Sequence, residues 1–182
     1  MAFDIFDSLS KLDLQPGENV ELMVLDFEDA FWNIPLAPEE RRFFVGKIRG
    51  RFYVILRAAQ GSRNGPLSWA GVISLVMRIV QSVFWEFGRC PLRLNTYVDD
   101  PLCMIRGTRR ERRQRICFLV LLWRALGLPL SLRKGCLGSG VAWIGLFLEV
   151  KTAEVDITIS ASRVAELLSL TLEALSLNIV SV

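Results

Sequence analysis

The chain has 182 residues, a formal net charge of +3 and 52% hydrophobic residues, enough for one domain of ordinary size with a real core. It has no histidine, which excludes Ser-His-Asp and Cys-His nucleophile systems and His-ligated zinc. Its four cysteines, at 90, 103, 117 and 136, form no C-x-x-C pair and read as reduced thiols of an intracellular protein, cytoplasmic or nuclear, rather than a disulfide or zinc framework.

In chain order, "MAFDIFDSLSKLDL" is acidic early and lacks the basic-then-apolar order of a signal peptide. "VELMVLDF" (20–27) reads as a buried strand ending at Asp26 and Phe27. "RRFFVGKIRGRFYVILRA" (41–58) is two β-rich runs joined in a hairpin around Gly50. "GSRNGP" (61–66) is a loop, and Pro66 sits where helices begin. A helical pattern follows to Phe87, closed by Gly88 and Pro91. "LRLNTYV" and "PLCMI" are two strands meeting at Asp99 and Asp100. Residues 108–127 read as a helix with a charged start, an apolar body and Gly127 as its stop. "VAWIGLFLEV" and "EVDITI" make a second hairpin, and 160–177 a final amphipathic helix. Strands and helices mix without strict βαβ alternation, which predicts an α+β fold with an antiparallel sheet. The apolar runs 66–87 and 116–132 are interrupted by Arg78 and Arg124. Both are expected as buried helices, with no membrane partner.

Charge is uneven along the chain. Residues 1–40 hold ten acids and one lysine, whereas 41–151 hold twenty basic residues, nearly all arginine, against five acids. Such a region is either a solvated basic face or a surface for a polyanion, with nucleic acid first.

The adjacent carboxylates of Asp99 and Asp100 stand between two apolar runs. One reading is a tight hairpin turn, where aspartate is at home. The other is a metal site. "VLDFEDAFWNIPL" (24–36) ends a strand on Asp26 and adds Glu28 and Asp29. If the two strands are neighbours, Asp26 and the 99–100 turn could face each other at one sheet end. Converging carboxylates repel unless divalent cations neutralise them, and oxygen donors select Mg²⁺ or Mn²⁺. Two such ions would clamp the attacking and leaving oxygens of a phosphoryl transfer, chemistry that needs no histidine.

"VLDFEDAFWNIPL", "AAQGSRNGP", "YVDDPL" and "GLPLSLRKGCLGSGVAWIGLFL" occur in this order over residues 24–148. Together they resemble the successive palm motifs of retroelement reverse transcriptases. The resemblance implies an α+β polymerase palm over 1–159 with partial fingers, and at 160–182 a C-terminal helix that could start the thumb. It also implies RNA- or DNA-templated DNA synthesis on a primer with two Mg²⁺ or Mn²⁺ ions and deoxynucleoside triphosphates. Asp26 and Asp99 would be the main metal ligands, with the Phe27 carbonyl and Asp100 supporting. Asp29 and Ala30 would lie under the triphosphate, and Phe31 under the sugar, where its ring crowds a 2′-hydroxyl. Gln60 and Gly61 would touch nucleotide and template, Lys134 would protonate the leaving pyrophosphate, and Trp143, Ile144 and Gly145 would form the primer grip.

Each residue also has a plainer reading. Asp26 could cap a strand and Asp29 a helix N-terminus; Phe31 could be core, and Lys134 and "RRERRQR" solvated. Two departures stand out. Pro101 removes an amide directly after the carboxylates, which an edge strand would tolerate. About two dozen residues precede Asp26, so the basic fingers strands of the family are largely missing. The chain is therefore expected to be part of a larger polyprotein or a degraded copy. The alternatives are an inactive element remnant that at most binds nucleic acid, and an RNA-dependent RNA polymerase palm, against which Phe31 and Y-V-D-D argue.

Overall fold

The computed structural model describes residues 14–85, 90–151 and 155–176. Four antiparallel strands form its central sheet in the order β4–β5–β1–β6: β1 (Asn19–Val24), β4 (Leu92–Tyr97), β5 (Asp100–Gly107) and β6 (Cys136–Gly138). In register, Val24 faces Leu102 and Asn19 faces Gly107, while Tyr97 faces Asp100.

Side chains alternate across a strand, and here both faces are covered. One face sends Met23, Cys103 and Ile105 under two helices, α1 (Gly65–Val83) and α2 (Arg109–Ala125), where Trp69, Ile73, Val80, Leu119 and Trp123 fill the core. The other face sends Val20, Leu22, Leu102 and Met104 against Val141, Trp143 and Leu148. Those three belong to a meander of β7 (Gly140–Trp143), β8 (Leu146–Val150) and β9 (Val155–Ile159). This two-sided covering explains why "PLCMI" is apolar without alternation.

Several expectations need correcting. The strand expected at 20–27 ends at Val24, and Phe27 makes only an isolated bridge to Leu130. "VAWIGLFLEV" is not one strand of a hairpin. It folds back on itself at Ile144 and Gly145, with φ of 45° and 86°, so the second hairpin is a three-stranded meander. Positive φ at both central residues is the twist-matched two-residue turn. The same turn, at Arg49 and Gly50, closes the predicted hairpin of β2 (Val45–Ile48) and β3 (Arg51–Val54).

Pro101 does not lie in an edge strand, because β5 has neighbours on both sides. It is tolerated because the ladder register to β1 begins only at Leu102, leaving Pro101 to contribute its carbonyl, which accepts from the Leu25 amide at 3.3 Å.

The helices are half-buried rather than buried. The Trp69, Ile73, Met77 and Val80 stripe of α1 is buried in the core with Val76 packed against it, while Leu67, Val72, Leu75, Ile79 and Val83 are exposed. Arg78 does not disqualify it: by length and apolar composition alone α1 could cross a membrane. In α2, Leu119 and Trp123 are buried, but Phe118 and Leu121 are not. The reason is architectural. Each helix has the sheet on one side and no further layer among the described residues on the other. The last helix, α3 (Ala161–Ser176), lies within the expected 160–177 but buries no side chain. The expected stop at Gly88 lies outside the described residues.

Candidate active site

β1 and β5 run antiparallel, so the C-terminal end of β1 meets the N-terminal end of β5. The chain leaving β1 stays beside the β4–β5 turn: the Phe27 amide donates to the Asp99 carbonyl at 2.8 Å. On its other flank, the Ser131 amide donates to the Asp26 carbonyl at 2.9 Å and the Glu28 amide to the Pro129 carbonyl at 3.0 Å. Asp26 is thus held between the turn and the 129–131 segment. The Phe27 ring anchors this stretch in the core, edge-on to Trp69 and Trp123 with centroids at 5.9 and 5.4 Å.

Both readings of the paired carboxylates hold in part. Val98 and Asp99 are the two turn residues, and Asp100 opens β5. Only one of the pair is therefore in the hairpin turn, yet both are brought near Asp26. Asp100 shows the consequence: burial raises its pKa, the neighbouring Asp99 and Asp26 charges raise it further, and Lys134 opposes them. Lys134 is carried on a short helical turn (Leu132–Lys134). Its Nζ donates to Asp26 Oδ2 at 2.8 Å although its side chain is 68% exposed. That hydrogen bond and the Asp26 charge raise the Lys134 pKa.

Asp26, Asp99 and Lys134 open onto a cavity of about 390 Å³ lined also by Phe27, Asp29, Phe31 and Gln60 among others. Asp29 is in the left-handed region at φ 53°. That backbone is held by Asn33, whose Nδ2 donates to the carbonyls of Glu28 and Asp29 at 3.1 Å each. The turn faces Asp29 outward and buries Ala30, with Phe31 half-buried beside it. Gln60 and Gly61 occupy a turn in which the Ser62 amide donates to the Ala59 carbonyl at 3.1 Å. Gly61, at φ 83°, is where such a turn calls for glycine. Gly65 lets this segment close on Phe31: a Cβ there would stand 2.6 Å from Ser62 Oγ and 3.6 Å from the Phe31 ring.

Of the predicted site residues, Asp26, Asp99, Asp100, Lys134, Asp29, Phe31 and Gln60 come together at this sheet end. Trp143, expected in the primer grip, is not among the residues lining the cavity. It is 2% exposed, in the core under β5, while Ile144 and Gly145 form the adjacent turn. Sequence reasoning missed Ser131, which lines the cavity, and Gly65. The second had a signal in the Gly-Pro step before α1, and the first had none beyond its place in the lysine motif.

The donor set fits a hard divalent cation: three carboxylates and the Phe27 carbonyl are all oxygen ligands. The raised Asp100 pKa marks negative charge that such an ion would neutralise. Among the described residues, no three Asp, Glu or Cys side chains close on a single point, and Asp26 faces the Lys134 ammonium instead. A cation bound at Asp26 would share that carboxylate with the Lys134 ammonium or displace it from Oδ2.

A family profile described as reverse transcriptase (RNA-dependent DNA polymerase) matches residues 3–148. No curated protein matches the chain. Among solved structures, the chain is similar to a foamy viral protease-reverse transcriptase in complex with an RNA/DNA hybrid. The TM-score is 0.58 at 16% identity, over 78% of this chain and 17% of that one. A foamy viral protease-reverse transcriptase in complex with double-stranded DNA also has a TM-score of 0.58, at 19% identity, over 83% of this chain and 24% of that one. The native prototype foamy virus protease-reverse transcriptase has a TM-score of 0.53 at 20% identity, over 72% and 16%. The chain spans less than a quarter of the length of each.

Proposed function

Because the chain belongs to the reverse transcriptase (RNA-dependent DNA polymerase) family, we propose that it is the palm of a template-directed DNA polymerase. Residues 1–159 would be the palm with partial fingers, and 160–182 the start of a thumb. Remaining fingers and thumb would come from a larger retroelement polyprotein, working inside the cell where its free cysteines stay reduced. The observation that carries this reading is the gathering of Asp26, Asp99 and Asp100 beside Lys134 at one sheet end, on a cavity rimmed by Phe31 and Gln60.

In this reading the 3′-oxygen of a DNA primer attacks the α-phosphorus of a deoxynucleoside triphosphate, and the bond to the leaving pyrophosphate breaks. Two Mg²⁺ or Mn²⁺ ions, held by Asp26, Asp99, Asp100 and the Phe27 carbonyl, would supply Lewis acidity to the attacking and leaving oxygens. In the absence of cations Asp26 raises the Lys134 pKa; in this reading the Lys134 Nζ carries the proton given to pyrophosphate. Asp29 and Ala30 form the floor under the triphosphate. The Phe31 ring lies under the sugar and crowds a 2′-hydroxyl. Gln60 and Gly61 meet the nucleotide and the RNA or DNA template, and Trp143, Ile144 and Gly145 support the primer end. Arginines of the 41–151 region bind the phosphate backbone.

The test is primer extension on a poly-ribonucleotide template with Mg²⁺ or Mn²⁺. Extension that disappears in both Asp26→Asn and Asp99→Asn supports the reading, and extension that survives either overturns it. The arrangement of the carboxylates favours a second reading, an inactive remnant that only binds nucleic acid: Asp26 is engaged by Lys134, and among the described residues no three acidic or cysteine side chains close on one point. Wild-type chain that binds template with steep salt dependence but extends nothing would mean a palm without a working enzyme around it.

A further inference from the structure

Three buried tryptophans pack on the two faces of the central sheet, Trp69 and Trp123 in the core around Phe27 and Trp143 in the other, and their indole nitrogens are used differently. Trp69, fully buried on α1, donates from Nε1 to the Val98 carbonyl at 2.7 Å. Trp143, 2% exposed at the end of β7, donates to the Asp100 carbonyl at 3.0 Å. Between them the Phe27 amide donates to the Asp99 carbonyl at 2.8 Å. Three consecutive carbonyls, from Val98 through Asp100, are therefore each held by a donor from a different element. The indoles come from opposite faces of the sheet, since Trp69 lies in the helical core and Trp143 in the meander core. The Thr96 hydroxyl is a further, longer donor to Val98, at 3.4 Å.

The turn needs this hold. Val98 is at φ 54°, a left-handed conformation that a β-branched side chain adopts at a cost. Left to itself, the turn would relax toward other backbone states and swing the carboxylates that flank it. Trp123 provides the contrast. It is equally buried and packs on the same Phe27 ring, but its Nε1 has no hydrogen-bond partner among the described residues.

We propose that Trp69 and Trp143 are positioning residues: their indole N–H groups clamp the Val98–Asp100 backbone from both faces of the sheet and so aim Asp99 and Asp100 at the cation site. This gives Trp143 a role distinct from gripping a primer, and gives α1 a role in the geometry of a turn thirty residues away. The inference rests on the polymerase reading only for what the carboxylates bind; the clamp itself is a statement about the turn.

Phenylalanine keeps an aromatic ring and deletes the N–H, so the variants are Trp69→Phe and Trp143→Phe in the full chain, with Trp123→Phe as control. The first readout is backbone amide relaxation at Val98, Asp99 and Asp100 by nuclear magnetic resonance, without metal. The turn gains motion in Trp69→Phe and in Trp143→Phe while Trp123→Phe matches wild type. The second readout is Mn²⁺ affinity, which falls about tenfold in each clamp variant, as expected for one buried acceptor left unpaired, and is unchanged in the control. In primer extension the loss falls on kcat rather than on the KM for nucleotide. Turn amides that stay as rigid in both clamp variants as in wild type overturn the proposal, as does equal loosening in Trp123→Phe. Loss of Mn²⁺ binding in Asp99→Asn is the separate check on the polymerase reading. If Asp99→Asn binds Mn²⁺ as wild type does, that reading fails while a loosened turn in Trp69→Phe still upholds the clamp.

Discussion

Asp100 is the residue at which the charge called for by the proposed cation site works against stability. Its pKa is raised by burial first, then by Asp99 and Asp26. A carboxyl with a raised folded pKa holds its proton more tightly folded than unfolded, so ionising it destabilises the fold. The penalty is complete above the folded pKa and gone below the ordinary aspartate range. Asp100→Asn is therefore expected to raise the melting temperature at neutral pH in the absence of divalent cations. The gain should vanish in acid, where wild-type Asp100 is already neutral; thermal melts at two pH values in chelator check this. In the polymerase reading Phe31, half-buried with its ring toward the Gly65 segment, would set nucleotide specificity. Phe31→Val would then remove the surface proposed to crowd a 2′-hydroxyl. Ribonucleotide incorporation should rise relative to deoxynucleotide, and an unchanged ratio would favour an RNA polymerase palm.

Among the elements, α2 was read most completely from sequence because its ends carry local chemistry. The Thr108 hydroxyl accepts from the Glu111 amide at 3.4 Å, and the Glu111 carboxylate accepts from the Thr108 amide at 2.8 Å, a reciprocal capping box. At the other end Gly127, at φ 78°, allows the Leu128 amide to reach the Trp123 carbonyl and its own amide the Arg124 carbonyl, each at 3.0 Å. The hydrogen bonds from Thr108 lower the Glu111 pKa. Their stabilisation is fully present above the ordinary glutamate range and is lost as pH falls through the lowered value. Thr108→Ala should cost roughly 1 kcal/mol at neutral pH and less in acid, measured by urea denaturation. The meander was misread for the opposite reason. "VAWIGLFLEV" has only one glycine to mark its fold-back, and the other turn residue, Ile144, is an unusual choice at φ 45°. Gly145 also leaves room there for the guanidinium of Arg163, which a Cβ would meet.

At the scale of the whole molecule, the two cores on either side of one sheet decide which groups solvent can reach. Cys90 and Cys103 are buried, and burial pushes the Cys103 thiol far up, whereas Cys117 and Cys136 are exposed. A thiol reagent applied to the native chain should label Cys117 and Cys136 quickly and the other two only after denaturation. Rapid labelling of Cys103 would mean that the β5 face is not closed. By itself, the sequence determined the α+β class, the hairpin at Gly50, the three helices and the four motifs, because these rest on periodicity, capping and turn chemistry within a few residues of one another. It also identified the carboxylates. Only the tertiary structure decided that β1 and β5 are neighbours, that Lys134 reaches Asp26, that Trp143 is core rather than surface, and that α1 and α3 leave apolar faces uncovered. Those facts depend on which strands pair and on what packs behind them, contacts between residues tens of positions apart that no local pattern encodes.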